Sequence, residues 1–349
     1  MPSFRKSVAI DLGTSDVLVY VNDKGIVKQE PSVIAKDIIT DEILAVGRPA
    51  KKIIGRTPGN VVAIKPLEDG VIKDFDATEK MLKYFLKSSM GKSWFKPDVL
   101  ICIPSKEKKK KKRAVLQAAE NAGAHRAYLI EEVLAAALGA EIDIADPKGS
   151  MVIDIGAGTT DIAVISMGQV ITSKSVDISG DTFDQALIDH MRDRYKIFMG
   201  QISAEEIKIR ASAMDIKDSI EIRGRQVIDG LPARIIVPID EIYHVFIPII
   251  NKIITAVKDI LKLTPPQLAA DLYDSGIILT GGGSLTLGLQ TSISEKLQIK
   301  VRIAEEPKLC VIRGTANALT WIDSIDEEKN ESKKSKQKQL ELKERLRRR

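Results

Sequence analysis

Apolar residues in this chain fall into two patterns: short β-rich runs broken by aspartate, glycine and threonine, and longer stretches with helical spacing. Ser7–Ile10 and Val17–Val21 flank the turn Asp11-Leu12-Gly13-Thr14-Ser15-Asp16, which predicts a β-hairpin. The same design returns about 140 residues later, where Met151–Ile155 and Ile162–Ile165 flank Gly156-Ala157-Gly158-Thr159-Thr160-Asp161. Two hairpins of one design predict an internally duplicated fold. The spacing predicts helices over Thr78–Lys87, Lys109–Ala122 and Glu131–Gly139, and a long one from about Glu241 to Leu263. Thr264-Pro265-Pro266 then ends that helix and starts another, with Thr264 as the expected cap and proline in the first turn. Val99–Ile103 and Ile277–Leu279 read as strands, the second running into the glycine turn Thr280-Gly281-Gly282-Gly283-Ser284. Strands alternating with helices in two related halves give an α/β class.

Composition adds bounds to this picture. A chain of 349 residues holds two domains with separate cores, and 44% apolar with 29% charged residues reads as soluble and globular. No apolar run approaches the ~20 residues that span a bilayer. The N-terminus runs straight into a strand without a signal-peptide core, so a cytoplasmic location is expected. Cys102 lies inside the apolar run Val99–Ile103 and is expected to be a reduced core thiol, while His125, His190 and His244 lack metal-ligand spacing. The net charge of +5 is unevenly placed: Lys329–Arg349 carries +7 and the rest of the chain −2. A second basic block, Lys106–Arg113, has seven positive residues and one glutamate. Such blocks are solvated faces or binding surfaces.

The two hairpin loops carry the chemistry. Glycine lets backbone approach a phosphate, and the N–H and hydroxyl groups that follow can donate to it. Asp11-x-Gly13-Thr14 and Asp154-x-Gly156-x-Gly158-Thr159-Thr160 share that equipment, and two such loops point to a phosphate far more strongly than one. Asp11 and Asp154 are candidates to hold Mg2+ through water, because that ion keeps much of its hydration shell. The turn at Gly281, Gly282, Gly283 and Ser284 can lie against a base or a phosphate, and read alone is a simple glycine turn. Glu205 and Lys208 share a helix face, where a surface ion pair is the default. Gly91-Lys92-Ser93 ends like a Walker A loop, but Leu86 stands where the upstream glycine is required.

In this order the motifs resemble the phosphate 1, phosphate 2 and adenosine segments of the actin and heat-shock-chaperone ATPase superfamily. Within it the chain is similar to the bacterial actins of the MreB family over roughly residues 5 to 325. The stretches Glu30-Pro31-Ser32-Val33-Ile34-Ala35, Gly55-Arg56-Thr57-Pro58-Gly59-Asn60, Asp69-Gly70-Val71-Ile72, Leu129-Ile130-Glu131-Glu132 and Thr264-Pro265-Pro266 carry that resemblance. It implies an actin-like fold of two lobes and four subdomains, with lobe I over 1–145, lobe II over 146–325 and a basic tail over 326–349. It also implies ATP and ADP with Mg2+ as cofactors, slow hydrolysis and polymerisation with copies of itself into filaments that serve cell shape. In this resemblance Glu132 orients the attacking water with Thr159 as partner, and Thr14, Ser15 and Asp16 face the phosphates. Glu205 and Lys208 contact the ribose and base side, in place of the surface pair, and Gly281–Ser284 line the adenine and α-phosphate.

Six positions, in four places, depart from the family pattern. Ser15-Asp16 replace Ala-Asn, and a carboxylate at 16 is expected to weaken phosphate binding unless magnesium offsets it. Ala157 replaces the middle glycine of the second loop and is expected to restrict the turn; Val133 replaces a proline, and Ala211-Ser212 an Ile-Gly pair. The resemblance further implies an apolar membrane tip at Trp94 and Phe95 and a peripheral place on an anionic membrane. Lys333, Lys334, Lys336, Lys338, Arg345, Arg347, Arg348 and Arg349 of the tail would add charge attraction. Other membrane or cytoskeletal proteins are further expected partners, and nucleic acid is not. The rival readings are a chaperone-class ATPase, which would carry a β-rich domain where only about 25 residues follow Ile325, and a sugar kinase, whose general base finds no candidate.

Overall fold

The hairpins form where the apolar runs place them. β1 (Ser7–Leu12) and β2 (Asp16–Val21) are buried along almost their whole length, with β3 (Gly25–Pro31) following. A small sheet comes next, made of β4 (Ile34–Asp37), β5 (Ile43–Val46) and β6 (Val61–Ile64), with α1 (Arg48–Lys52) between the last two in sequence, and then the short pair β7 (Leu67–Glu68) and β8 (Val71–Ile72). α2 (Phe75–Met90), β9 (Asp98–Ile103), α3 (Lys109–Asn121), β10 (Arg126–Glu131) and α4 (Glu132–Gly139) complete the first half. The second half opens with β11 (Ser150–Ile155), β12 (Thr160–Ser166) and β13 (Gln169–Val176), followed by α5 (Gly180–Tyr195). β14 (Ile197–Phe198), α6 (Gln201–Ser212), β15 (Ser219–Gln226) and β16 (Pro232–Pro238) come next, then α7 (Ile239–Leu263) and α8 (Pro266–Ser275). β17 (Ile277–Thr280), α9 (Leu289–Leu297), β18 (Val301–Ile303) and α10 (Cys310–Asn317) end it. This computed structural model describes residues 6–54, 59–68, 71–91, 95–104 and 109–322. Trp94, Lys106, Lys108 and the tail residues from Lys329 to Arg349 lie outside the described residues.

The duplication expected from the hairpins extends to whole sheets. One five-stranded sheet has the order β10-β9-β1-β2-β3, and the other β18-β17-β11-β12-β13. Each pairs its first two strands antiparallel and its first strand parallel to the one after the long excursion. The hairpin registers agree as well: Asp11 faces Leu18 and Leu12 faces Val17, while Asp154 faces Asp161 and Ile155 faces Thr160. Strand alternation then sorts residues between two layers. Val8, Ile10, Val99, Ile101 and Ile103 point into the core under α2 and α3, and Met151, Ile153, Ile277 and Leu279 into that of the second half. The opposite faces, including Leu100, Cys102 and Val152, form a shared inner layer with α4 and α10. α10 packs on β1, β2 and β9, so the last described α-helix covers the first sheet.

Thr264 does not cap the helix after it. Its hydroxyl donates to the Ile260 carbonyl at 2.8 Å and closes α7, while Pro265 takes the N-cap place of α8 and Pro266 its first position. The extended backbone required before a proline stops α7 and turns the hydroxyl back onto its last turn.

Candidate functional site

The loops after β1 and β11 lie at the carboxyl ends of parallel-paired strands, the usual place for ligands in α/β sheets. Both are tight. A Cβ on Gly13 would sit 2.7 Å from the Asp16 carbonyl oxygen, and the Gly156 N–H donates to the Thr159 carbonyl at 2.9 Å. The second loop is also fastened to the start of α5, because Gly180 N–H donates to Gly156 O and Asp181 N–H to Ala157 O, each at 3.0 Å. Ala157 does not take a left-handed backbone, so its methyl does not restrict the turn in the way expected from a lost glycine. The third turn backs onto β11. Gly281 has φ 77°, and a Cβ on Gly283 would meet the Ile155 side chain, so side chains there would push the turn off the strand.

These loops enclose one cleft of about 210 Å3. Asp11, Gly13, Thr14, Ser15 and Asp16 line it from one side, and Asp154, Gly156, Ala157, Gly158 and Thr159 from the other. Glu132, Glu205, Lys208, Gly281, Gly282 and Gly283 complete the lining. Two expected positions do not line it: the buried Thr160 hydroxyl donates to Ile178 O, and Ser284 donates to Gly281 O at 2.7 Å. Glu205 and Lys208 do not pair with each other. Lys208 Nζ lies 2.8 Å from Asp184 and donates to Gly180 O at 2.9 Å, while Glu205 meets Lys51 at 3.3 Å. Lys65 and Asp181, 3.5 Å apart, add a second ion pair between the first small sheet and the second half.

The charge balance of the cleft is strongly acidic. Burial pushes the Asp154 carboxyl up to about 7, with Asp161 and Asp11 adding to the rise, although the Thr280 hydrogen bond opposes it. Burial and the Asp16 charge likewise push Asp11 up to about 6 against a hydrogen bond from Cys102. Glu132 retains an opening to the cleft, yet burial and the charges of Asp161, Asp154 and Asp11 hold it well above the usual carboxylate range. Carboxylates gathered this way favour a cation in their midst. Among the described residues no three His, Cys, Asp or Glu side chains come together as direct metal ligands.

Sequence reasoning missed Cys102, Asp184, Asp181, Pro307 and Lys308, which also line the cleft. Asp184 had one available signal, an acidic residue on the apolar face of α5 between Phe183 and Leu187. Its carboxyl is pushed up to about 6 by burial, in spite of Lys208. A raised carboxyl binds protons in the folded state that the unfolded chain releases, so stability falls as pH rises from the ordinary aspartate range toward 6. Lys208→Met removes the compensating ammonium and carries that fall to higher pH. We expect a cost of about 3 kcal/mol at pH 8 and a clearly smaller one at pH 5. Urea unfolding at the two pH values checks this; equal costs would mean that Lys208 acts by packing alone.

The MreB/Mbl protein family matches residues 5–327 of the chain. The cell shape-determining protein Mbl of Bacillus cereus is 45% identical over 326 residues, 92% of this chain and 98% of its own length. The cell shape-determining protein MreB of Escherichia coli is 42% identical over 329 residues, 92% and 95% of the two chains. Among solved structures, MreB5 of Spiroplasma citri bound to AMPPNP superposes with a TM-score of 0.88 at 34% identity, covering 95% of this chain and 100% of that one. The MamK double helical filament shares the fold, with a TM-score of 0.76 at 21% identity over 89% of this chain and 97% of that one.

Proposed function

The chain belongs to the MreB/Mbl family, and from that premise we propose that it is an ATP-binding bacterial actin. In this reading it assembles into cytoskeletal filaments that serve cell shape and hydrolyses ATP slowly. The observation that carries the reading is the convergence of two same-register Asp/Gly loops, a third glycine turn and Glu132 on one cleft. Backbone N–H groups and hydroxyls of Thr14, Ser15 and Thr159 receive the phosphates, and Gly281–Gly283 offer a flat floor to the adenosine. Asp11 and Asp154 would hold Mg2+ through water, and a bound ion would supply positive charge against that of Asp16 near the phosphates. Glu132, the first residue of α4, accepts a hydrogen bond from the attacking water, with Thr159 of the same cleft lining as its partner. Catalysis of this kind is mainly positioning and charge stabilisation. The nucleotide lies between lobes spanning 1–145 and 146–325, with α10 packed back on the first.

The filament lies on the inner face of the cell membrane, as a peripheral cytoplasmic assembly that other membrane or cytoskeletal proteins join. No helix among the described residues is long and apolar enough to cross a membrane. Phe95 is 56% exposed, which supports a shallow apolar contact. The tail beyond residue 325 supplies charge attraction worth up to ~1 kcal/mol per basic residue, less in salt. The test is sedimentation with Mg-ATP, alone and with anionic or neutral vesicles. We expect pelleting with nucleotide, and co-pelleting with anionic vesicles that truncation after Ile325 weakens and makes less sensitive to salt. Absence of polymer at any concentration would overturn the filament reading, and equal pelleting of parent, truncation and Trp94→Ala/Phe95→Ala on both lipids would overturn the membrane reading.

A further inference from the structure

The two aspartates at the tips of β1 and β11 are each gripped from the neighbouring parallel strand. Thr280, the last residue of β17, stands opposite Asp154 and donates its hydroxyl to Asp154 Oδ1 at 2.6 Å. On β9, Ile101 stands opposite Ile10, so Cys102 falls beside Asp11, and its thiol donates to Asp11 Oδ1 at 3.2 Å. The strands β9 and β17 occupy the same place in the two sheet orders. Alternation puts Val99, Ile101 and Ile103 into one outer core and Ile277 and Leu279 into the other, which leaves Cys102 and Thr280 on the inner faces with the aspartates. The two sheets therefore carry a donor–carboxylate contact at the same place, outside both hairpin loops.

We propose that Cys102 and Thr280 are matched positioning residues, each fixing the carboxylate beside it so that its other oxygen is set for the hydrated metal of a bound nucleotide. The inference rests on the nucleotide reading of the cleft. A carboxylate among like charges swings away from them unless one oxygen is held. A donor in the adjacent strand holds it without adding a charge that would compete with the metal. The two donors differ in strength. A hydroxyl is a strong donor to a carboxylate, while a thiol is a weak one. The two halves are thus unequal, and Asp154 is the more firmly set.

The test is titration of a fluorescent ADP analogue carrying a methylanthraniloyl group, from metal-free buffer with EDTA to millimolar Mg2+, on full-length protein. Thr280→Val should lose about tenfold in affinity at saturating Mg2+, the scale of one hydrogen bond to a charged group. It should bind the analogue in EDTA like the parent. Cys102→Ala should lose about threefold, reflecting the weaker thiol donor, and Thr280→Ser should restore the parent's metal dependence. A purely structural role would lower affinity equally with and without metal, and that result would overturn the proposal, as would a Thr280→Val variant with the parent's metal dependence or a failure of Thr280→Ser to rescue. Circular dichroism melts identify any variant that fails to fold, in which case Thr280→Ser against the parent decides. A parent that binds no analogue at any Mg2+ concentration would remove the nucleotide reading itself, and this inference with it.

Discussion

Glu132→Ala is expected to slow ATP turnover by about a hundredfold or more, the lower range for a group that positions or moves a proton in a transition state. Nucleotide affinity should stay within about twofold, because the phosphates meet the loops rather than this side chain. Glu132 is the first residue of α4, held there because β10 runs into the helix without a connecting loop. The carboxyl is therefore fixed by two rigid elements. Glu132→Gln separates two roles. It keeps an acceptor of the same size but cannot take a proton, so full activity in Gln with loss in Ala would assign pure orientation of water. The environment adds a second expectation. Burial and three neighbouring aspartates hold the Glu132 carboxyl high, so ionising it costs stability as pH rises above the ordinary glutamate range. The nucleotide-free Glu132→Ala variant should lose less stability than the parent between pH 5 and pH 8. Phosphate-release assays and melts across pH check both; turnover equal to the parent's would remove Glu132 from the mechanism.

Gly314→Ala and Gly139→Ala should each destabilise the protein by about 3 kcal/mol or more, at the upper end for overpacked cores. The reason is a reciprocal contact between α4 and α10. A Cβ on Gly314 would lie 1.7 Å from the Ala135 carbonyl oxygen, and one on Gly139 would lie 1.7 Å from that of Cys310. Both obstacles are backbone, so no rotamer change relieves them and the helices must separate. Alanine normally stabilises a helix over glycine by up to about 1 kcal/mol, so the two effects oppose each other and the clash wins. Gly200 is the control: it has no atom within 4 Å of an added Cβ, and Gly200→Ala at the N-cap of α6 should cost far less. Because the two glycines share one contact, the double variant should cost less than the sum. Separation should also weaken nucleotide binding, since α4 begins with Glu132 and α10 carries Val311 of the cleft wall. Urea denaturation read alongside fluorescent-nucleotide affinity measures both; a Gly314→Ala variant as stable as the parent would mean the helices part without loss.

What the amino-acid order alone determines here is local and periodic. Two hairpins with one turn chemistry, Asp11–Asp16 and Gly156–Asp161, are legible because turn geometry depends on residues a few positions apart. The two halves, the long helix up to Leu263 and the two hairpin-loop walls of the cleft follow from the same signals, while Glu132, Glu205, Lys208 and the glycine turn gain their site roles from the family resemblance alone. The tertiary structure decides whatever depends on residues far apart in sequence. Nothing near Glu205 and Lys208 reveals that each takes a different partner, Lys51 and Asp184, because at three-residue spacing they would satisfy each other as well. Thr160 and Ser284 read as nucleotide contacts in their motifs, yet packing brings Ile178 O and Gly281 O within reach and turns both hydroxyls inward. Cys102 reads as a core thiol, and its place beside Asp11 appears only when β9 pairs with β1 across some ninety residues of chain. Apolar periodicity states which face of a strand is buried; only the pairing of strands states which buried side chain a carboxylate will meet.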